Sequence, residues 1–124
     1  LPVHVIHGNN LGDFTAISQM ATRSNGLLSY HGGDASIELA GRKIFLVHYP
    51  HYGQAMACTG AYDLVCCGHS HKPEIAQQAN VRGGITRLVN PGTVAGLGAP
   101  AATWVLGDLA TMEFAIQRLS FAAA

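Results

Sequence analysis

Short apolar runs alternate along the chain with clusters of glycine, asparagine and proline, and the period of each run predicts its element. Val3 to His7 (VHVIH) alternates and is β-branched, which predicts a short strand. Gly8-Asn9-Asn10 then reads as a turn, and Thr15 to Arg23 as a helix. Asn25-Gly26 and His31-Gly32-Gly33-Asp34 carry turn chemistry. Ser36 to Leu39 and Lys43 to His48 flank Ala40-Gly41-Arg42 and predict a β-hairpin. Its second arm, KIFLVH, is almost continuously apolar, as expected of a strand covered on both faces. Pro50 ends that strand, and Tyr52 to Thr59 predicts a short helix capped by Gly60. Asp63 to Cys67 (DLVCC) is another buried strand. Glu74 to Gln78 and Thr86 to Val89 read as strands around the turn-rich Asn80 to Gly84. Asn90-Pro91-Gly92-Thr93 is a turn, Thr103 to Asp108 and Glu113 to Leu119 form a last hairpin, and Phe121 to Ala124 carries no signal.

An α/β opening followed by consecutive strands predicts a mixed sheet or two packed sheets with helices on the outer faces. The 124 residues suit one domain, without repeats or an interdomain linker. At 48% hydrophobic and 11% charged, the chain has material for a core and too little charge for a disordered segment. Seven Lys+Arg balance seven Asp+Glu, so no basic excess points to nucleic acid or to a membrane surface. No apolar run is long enough to span a bilayer, and no signal peptide opens the chain. The three cysteines are odd in number, two are adjacent, and none forms a CxxC pair. Reduced thiols of a cytosolic protein fit them better than a disulfide framework. There is no initiator Met, and Leu1-Pro2 leads at once into a strand, so the start looks like the middle of a domain.

The candidate chemistry lies just past the strands. VHVIH leads into Gly8-Asn9-Asn10, KIFLV into His48, and DLVCC into Gly68-His69-Ser70-His71. The carboxyl edge of an open α/β sheet is where ligands bind. Imidazole is a common metal donor, and an Asn carbonyl oxygen suits a harder divalent ion. Gly8 and Gly68 permit sharp backbone turns. With strand-like alternation through HSH, His69 and His71 point the same way and reach neighbouring positions. Plainer readings compete with ligation. His4 and His31 have no partner in the sequence and read as packed or surface residues. His7 stands beside the glycine turn, at the edge of any site. His48 alone is equally explained by a strand ending at Tyr49-Pro50. Cys66 and Cys67, inside a strand, read as small hydrophobes rather than ligands.

Taken in order, HGNN (His7 to Asn10), LVHYP (Leu46 to Pro50), YDLVCCGHSHKP (Tyr62 to Pro73) and LVNPGT (Leu88 to Thr93) resemble the calcineurin-like metallophosphoesterases, specifically their small bacterial and archaeal phosphodiesterase subfamily. The likeness continues into Thr103 to Leu119. It implies an α/β fold of two packed mixed β-sheets flanked by helices, with two divalent metals, Mn first and Ni, Fe or Zn as alternatives. It implies that Asn9, His48 and His69 bind the second metal and that His71 binds the first. The family's Asp-x-His strand and its Gly-Asp motif do not precede HGNN. Residues 1–124 therefore correspond to the C-terminal two-thirds of one domain, with the first strand-helix portion missing. Leu11 stands where many relatives carry Asp, and Asp13 is a substitute only if the loop rearranges. Asn10 occupies the place of a catalytic His in other branches, and His51 is a stand-in for it.

For a complete domain the resemblance implies hydrolysis of a small-molecule phosphoester, diester or monoester, by a hydroxide activated between two metals. This chain alone, with four of the donors, is expected to be inactive. The alternative is a protein-binding scaffold of the same fold, like a eukaryotic retromer subunit. The expected setting is cytoplasmic, with no membrane partner and no clear nucleic-acid signal, and a homo-oligomer is left open.

Overall fold

In the computed structural model, residues 1–120 are described. The sequence reading of Phe121 to Ala124 lies outside them. Eleven elements follow in the order β1 (Val3–Val5), α1 (Phe14–Arg23), β2 (Leu28–Tyr30), β3 (Asp34–Leu39), β4 (Arg42–Val47), α2 (Pro50–Cys58), β5 (Leu64–Cys66), β6 (Glu74–Ala79), β7 (Ile85–Asn90), β8 (Ala102–Asp108) and β9 (Glu113–Leu119). The α/β class and the alternation of elements agree with the sequence reading. The described strands divide into a five-stranded mixed sheet, ordered β3-β4-β5-β7-β6, and two ribbons, the parallel β1-β2 and the antiparallel β8-β9.

β2 is absent from the sequence reading. Its three residues, Leu-Ser-Tyr, are too few to show a period. It exists by pairing Val3 with Leu28 and Val5 with Tyr30, a contact between segments more than twenty residues apart. α2 begins two residues earlier than predicted, because Pro50 both ends β4's extension and starts the helix. Proline lacks the amide hydrogen that a first helical turn leaves unused.

The five-stranded sheet is buried on both faces at its centre. β5 lies between β4 and β7 and is parallel to both. Successive side chains of a strand point to opposite faces. Leu64 and Cys66 point with Ile44 and Val89 toward the β8-β9 hairpin, where Val105, Leu109, Met112 and Phe114 close the cluster. Arg42 pins the hairpin turn by donating from Nε to the Leu109 carbonyl at 2.9 Å. Val65, fully buried, points the other way, under α2. The helix approaches closely because Gly53 has no side chain. A β-carbon there would sit 3.1 Å from Cβ of Cys67 and 3.5 Å from Cγ1 of Val65. Thr86, also fully buried, donates to the Tyr62 carbonyl at 3.0 Å and accepts from Asn80 at 3.2 Å, so its hydroxyl is satisfied.

The three cysteines are free thiols, with Cys67 buried. Burial, reinforced by Cys67, pushes the Cys66 thiol up to about 12. Burial also raises Cys67, with Glu74 adding to it. Both behave as the small hydrophobes expected from their place in a strand.

Trimming Ile44 to Val removes one methylene from the hairpin-facing cluster and should lower the free energy of unfolding by about 1 kcal/mol, measured by urea titration. A second expectation concerns alkali. The unfolded chain loses the Cys66 proton near 9.0 and the folded chain near 12, so between these values the native state holds a proton that the unfolded state has released. Stability should therefore fall as pH rises through that window. The urea midpoint should be lower at pH 10 than at pH 8, and Cys66→Val should remove part of the drop.

Candidate metal centre

β4, β5 and β7 are parallel, so their carboxyl ends share one edge of the sheet. His48 follows β4, and Cys67-Gly68-His69 follows β5. The Gly68 amide donates to the His48 carbonyl at 2.9 Å, and the Cys67 amide to the Val89 carbonyl at 2.9 Å, which stitches the three strand ends together. The segment after β1 brings Asn9 to the same place. Here the glycine of HGNN is required by space. A β-carbon on Gly8 would lie 2.5 Å from both Cε1 and Nδ1 of the His48 ring.

Three donor atoms converge. His48 Nε2 is 2.7 Å from Asn9 Oδ1 and 3.1 Å from His69 Nδ1, and His69 Nδ1 is 3.3 Å from Asn9 Oδ1. The two imidazole rings meet edge to face, with centroids 5.0 Å apart. Donors bound at about 2.1 Å to one cation stand about 3.0–3.4 Å apart in octahedral or tetrahedral shells; the two distances to His69 fall in that range, and the 2.7 Å between His48 and Asn9 is the length of a hydrogen bond. Among the described residues no group of three or more His, Cys, Asp or Glu side chains gathers in this way. The trio is completed by an amide oxygen instead. Burial, with repulsion from His69 and His71, lowers the His48 pKa below 6.5. That favours the neutral imidazole, the form that carries a lone pair for a metal.

His71 is held elsewhere. His69 and His71 have φ of 65° and 59°, in the left-handed region and not in a strand. For non-glycine residues this conformation costs about 1 kcal/mol each. The strand alternation expected of HSH therefore fails, and the two rings have different hydrogen-bond partners. His69 joins the trio, while His71 donates from Nδ1 to the Leu97 carbonyl at 2.7 Å. That bond leaves His71 Nε2 as the free lone pair, a common way of orienting a ligand imidazole.

A pocket of about 260 Å³ beside the trio is lined by Gly8, Asn9, His48, Tyr49 and Tyr52, and by His7 on its edge. His7 is fixed by a hydrogen bond between Nδ1 and the Tyr30 hydroxyl. Asn10 is exposed on the bend after Asn9. His51 sits in the first turn of α2 and is not brought to the trio. Its ring packs on Tyr52 at 4.1 Å and on Tyr49 at 5.6 Å, and it lines a neighbouring pocket with Gln54, Glu74 and Asn90. Asp13 does not replace the Asp missing at Leu11. Its carboxylate accepts from the Ala16 amide at 2.9 Å and caps α1.

His4 and His31, read from the sequence as lacking partners, face each other with ring nitrogens 2.9 Å apart. Only the unforeseen pairing of β1 with β2 brings them together. The other residue that sequence reasoning missed is Asn90, seen there merely as the start of a turn. It is buried and hydrogen-bonded to the loop that carries His69. No local pattern distinguishes such an asparagine from an exposed one.

No curated protein sequence matches the chain significantly. Among solved structures, the chain superposes on an archaeal phosphodiesterase with a TM-score of 0.78 and 22% identity, over 94% of this chain and 68% of that one. It also resembles Vps29 of Entamoeba histolytica in complex with Zn2+, with a TM-score of 0.52 and 18% identity, over 94% of this chain and 81% of that one. A single-mutant Vps29 from the same organism gives 0.51 and 17%, over 96% and 82%. At these identities the likeness concerns the fold. In sequence, residues 1–112 match the family model of the calcineurin-like phosphoesterase superfamily domain, so the chain belongs to the calcineurin-like phosphoesterase superfamily.

Proposed function

We propose that this chain carries one half of the metal centre of a phosphoesterase that cleaves small-molecule phosphodiesters or activated monoesters. The observation that carries this reading is the convergence of Asn9 Oδ1, His48 Nε2 and His69 Nδ1 within 3.3 Å of one another. These three atoms would hold one divalent cation. His71, with Nε2 left free by the Leu97 carbonyl, would serve a second. Mixed nitrogen and oxygen donors favour Mn, Fe, Ni or Zn over Mg, and Mn is our first choice. Bound divalent cations would supply Lewis-acid polarisation of the phosphoryl group and a lowered pKa for a coordinated water.

The protein's own part is placement. Gly8 leaves room for the His48 ring, and the lowered pKa of His48 keeps that ring neutral. Tyr49 and Tyr52 wall the pocket in which a substrate would meet the donors. His51, which lies between these two tyrosines in sequence, would be the side chain to assist proton transfer, whereas the amide of Asn10, next to Asn9, would contribute only a hydrogen bond. A centre of two cations needs more donors than these four. In our reading this chain alone turns over phosphoesters slowly or not at all, and donors of the family's Asp-x-His and Gly-Asp type complete the site. Three free thiols fit a reducing, cytosolic setting, and no helix among the described residues is long and apolar enough to cross a membrane.

The scaffold reading has one observation of its own, the likeness to Vps29. Since one such neighbour was solved with Zn2+, cation binding does not separate the two readings, and hydrolysis does.

Mn2+ should bind this chain near neutral pH, followed by calorimetry. His48→Ala and His69→Ala should each weaken binding at least about 10-fold. Gly8→Ala should do the same without touching a donor, because its new methyl group displaces the His48 ring. Affinity should fall below about pH 6, where imidazoles protonate and cease to be ligands. Supplying an upstream segment with Asp-x-His and Gly-Asp should yield hydrolysis of bis(p-nitrophenyl) phosphate that His69→Ala abolishes. A completed protein that is folded and metal-loaded, yet inert on phosphoesters, would instead support the scaffold.

A further inference from the structure

The asparagine of NPGT is placed to do more than start a turn. Asn90 is the last residue of β7 and is buried. Because β7 runs beside β5, with Cys66 opposite Val89, Asn90 stands level with the loop that leaves β5. Its Nδ2 donates to the Gly68 carbonyl at 3.0 Å and to Ser70 Oγ at 3.0 Å. Its Oδ1 accepts from the Gly92 amide at 3.0 Å. One side-chain amide thus holds the chain on both sides of His69, the residue whose left-handed φ of 65° aims its ring at His48 and Asn9. The other end of the clamp is also fixed. Thr103, buried in β8, donates to the Pro91 carbonyl at 2.8 Å, and its amide donates to the Thr93 carbonyl at 2.9 Å.

We propose that Asn90 is a positioning residue for His69, holding the Gly68–Ser70 segment in the strained conformation that presents Nδ1 to the donor trio. The metal consequence of this proposal rests on the cation reading given above, whereas the positioning itself does not. A strained backbone conformation persists only where its surroundings over-determine it. The two hydrogen bonds donated by Nδ2 add constraint to the turn that the Ser70 amide closes on the Gly68 carbonyl at 2.7 Å, and among the described residues no other side chain is hydrogen-bonded to both flanks of His69. The amide group is specific to the task. Alanine removes both donated bonds and leaves the Gly68 carbonyl with only the Ser70 amide, at 2.7 Å, as a partner. Aspartate is nearly isosteric and keeps an acceptor for Gly92, but it sets a carboxylate oxygen against the Gly68 carbonyl.

The test compares the parent chain with Asn90→Ala, Asn90→Asp and Ser70→Ala, and with Ile44→Val as a control whose stability changes far from the loop. Two properties are read. The first, in metal-free protein, is the nuclear Overhauser contact between the His48 and His69 rings. The second is Mn2+ affinity, followed through the electron paramagnetic resonance of the free ion. Both Asn90 variants should lose the ring contact and bind Mn2+ about 10–100-fold more weakly, as is typical when a ligand's outer partner is removed. The loss in Asn90→Asp is the more telling, since an added negative charge alone would raise cation affinity. Ser70→Ala, which keeps the bond to Gly68, should show a smaller loss, and it decides the question if the Asn90 variants fail to fold. Ile44→Val should keep both properties. The proposal is overturned if folded Asn90 variants, or Ser70→Ala in their place, retain the ring contact and the affinity of the parent. It is equally overturned if Ile44→Val loses them to the same extent. Should the parent bind no Mn2+, the cation reading fails by itself, and the ring contact still decides the role of Asn90.

Discussion

Everything at the donor edge depends on β5 being covered on both faces. Only three residues long, it is flanked in parallel by β4 and β7, packed on one side by the β8-β9 hairpin and on the other by α2. Parallel strands put their carboxyl ends on one edge, and double burial fixes their register, because a one-residue slip would turn Val65 out of its place under α2. With that register set, His48 and Gly68 are neighbours, and the amide of one loop bonds the carbonyl of the other. The donor trio inherits its position from the core.

Two left-handed histidines flanking Ser70 are the costly feature of the site. Local strain of this kind concentrates where a side chain must be aimed and not merely packed. The result is a division of labour between adjacent imidazoles. His69 closes on His48 and Asn9, while His71 turns to the Leu97 carbonyl and takes its tautomer from that bond. A regular strand through the same residues would send both rings to one side and leave the edge with a single cluster.

The surroundings keep the donors in the state that chemistry needs. Partial burial and two neighbouring imidazoles disfavour the charged form of His48. The nearby thiols stay protonated and inert because burial opposes their ionisation, so the cysteines beside the site serve as packing and do not compete as soft ligands. The chain belongs to the calcineurin-like phosphoesterase superfamily, and the fold likeness extends to both a phosphodiesterase and Vps29.

Much of this was legible in the residues themselves. The apolar runs KIFLVH and DLVCC announced doubly covered strands, the glycines announced turns, and Asn9, His48 and His69 stood at the ends of three strands. Those are local properties, written by hydrophobic period and by the stereochemistry of glycine and proline. What sequence could not supply were relations between distant segments. β2 exists only because β1 pairs with it, and the meeting of His4 with His31 follows from that pairing. The different partners of His69 and His71 go with left-handed backbone angles and with hydrogen bonds to Asn90 and to the Leu97 carbonyl, groups that lie far away in sequence. Asp13, a substitute for the Asp missing at Leu11 only if the loop rearranges, has its carboxylate capping α1. The chain's own pattern determined which elements form and which side chains stand at their ends. The tertiary structure decided which of those side chains meet, because meeting depends on strand register and on hydrogen bonds between segments far apart in sequence.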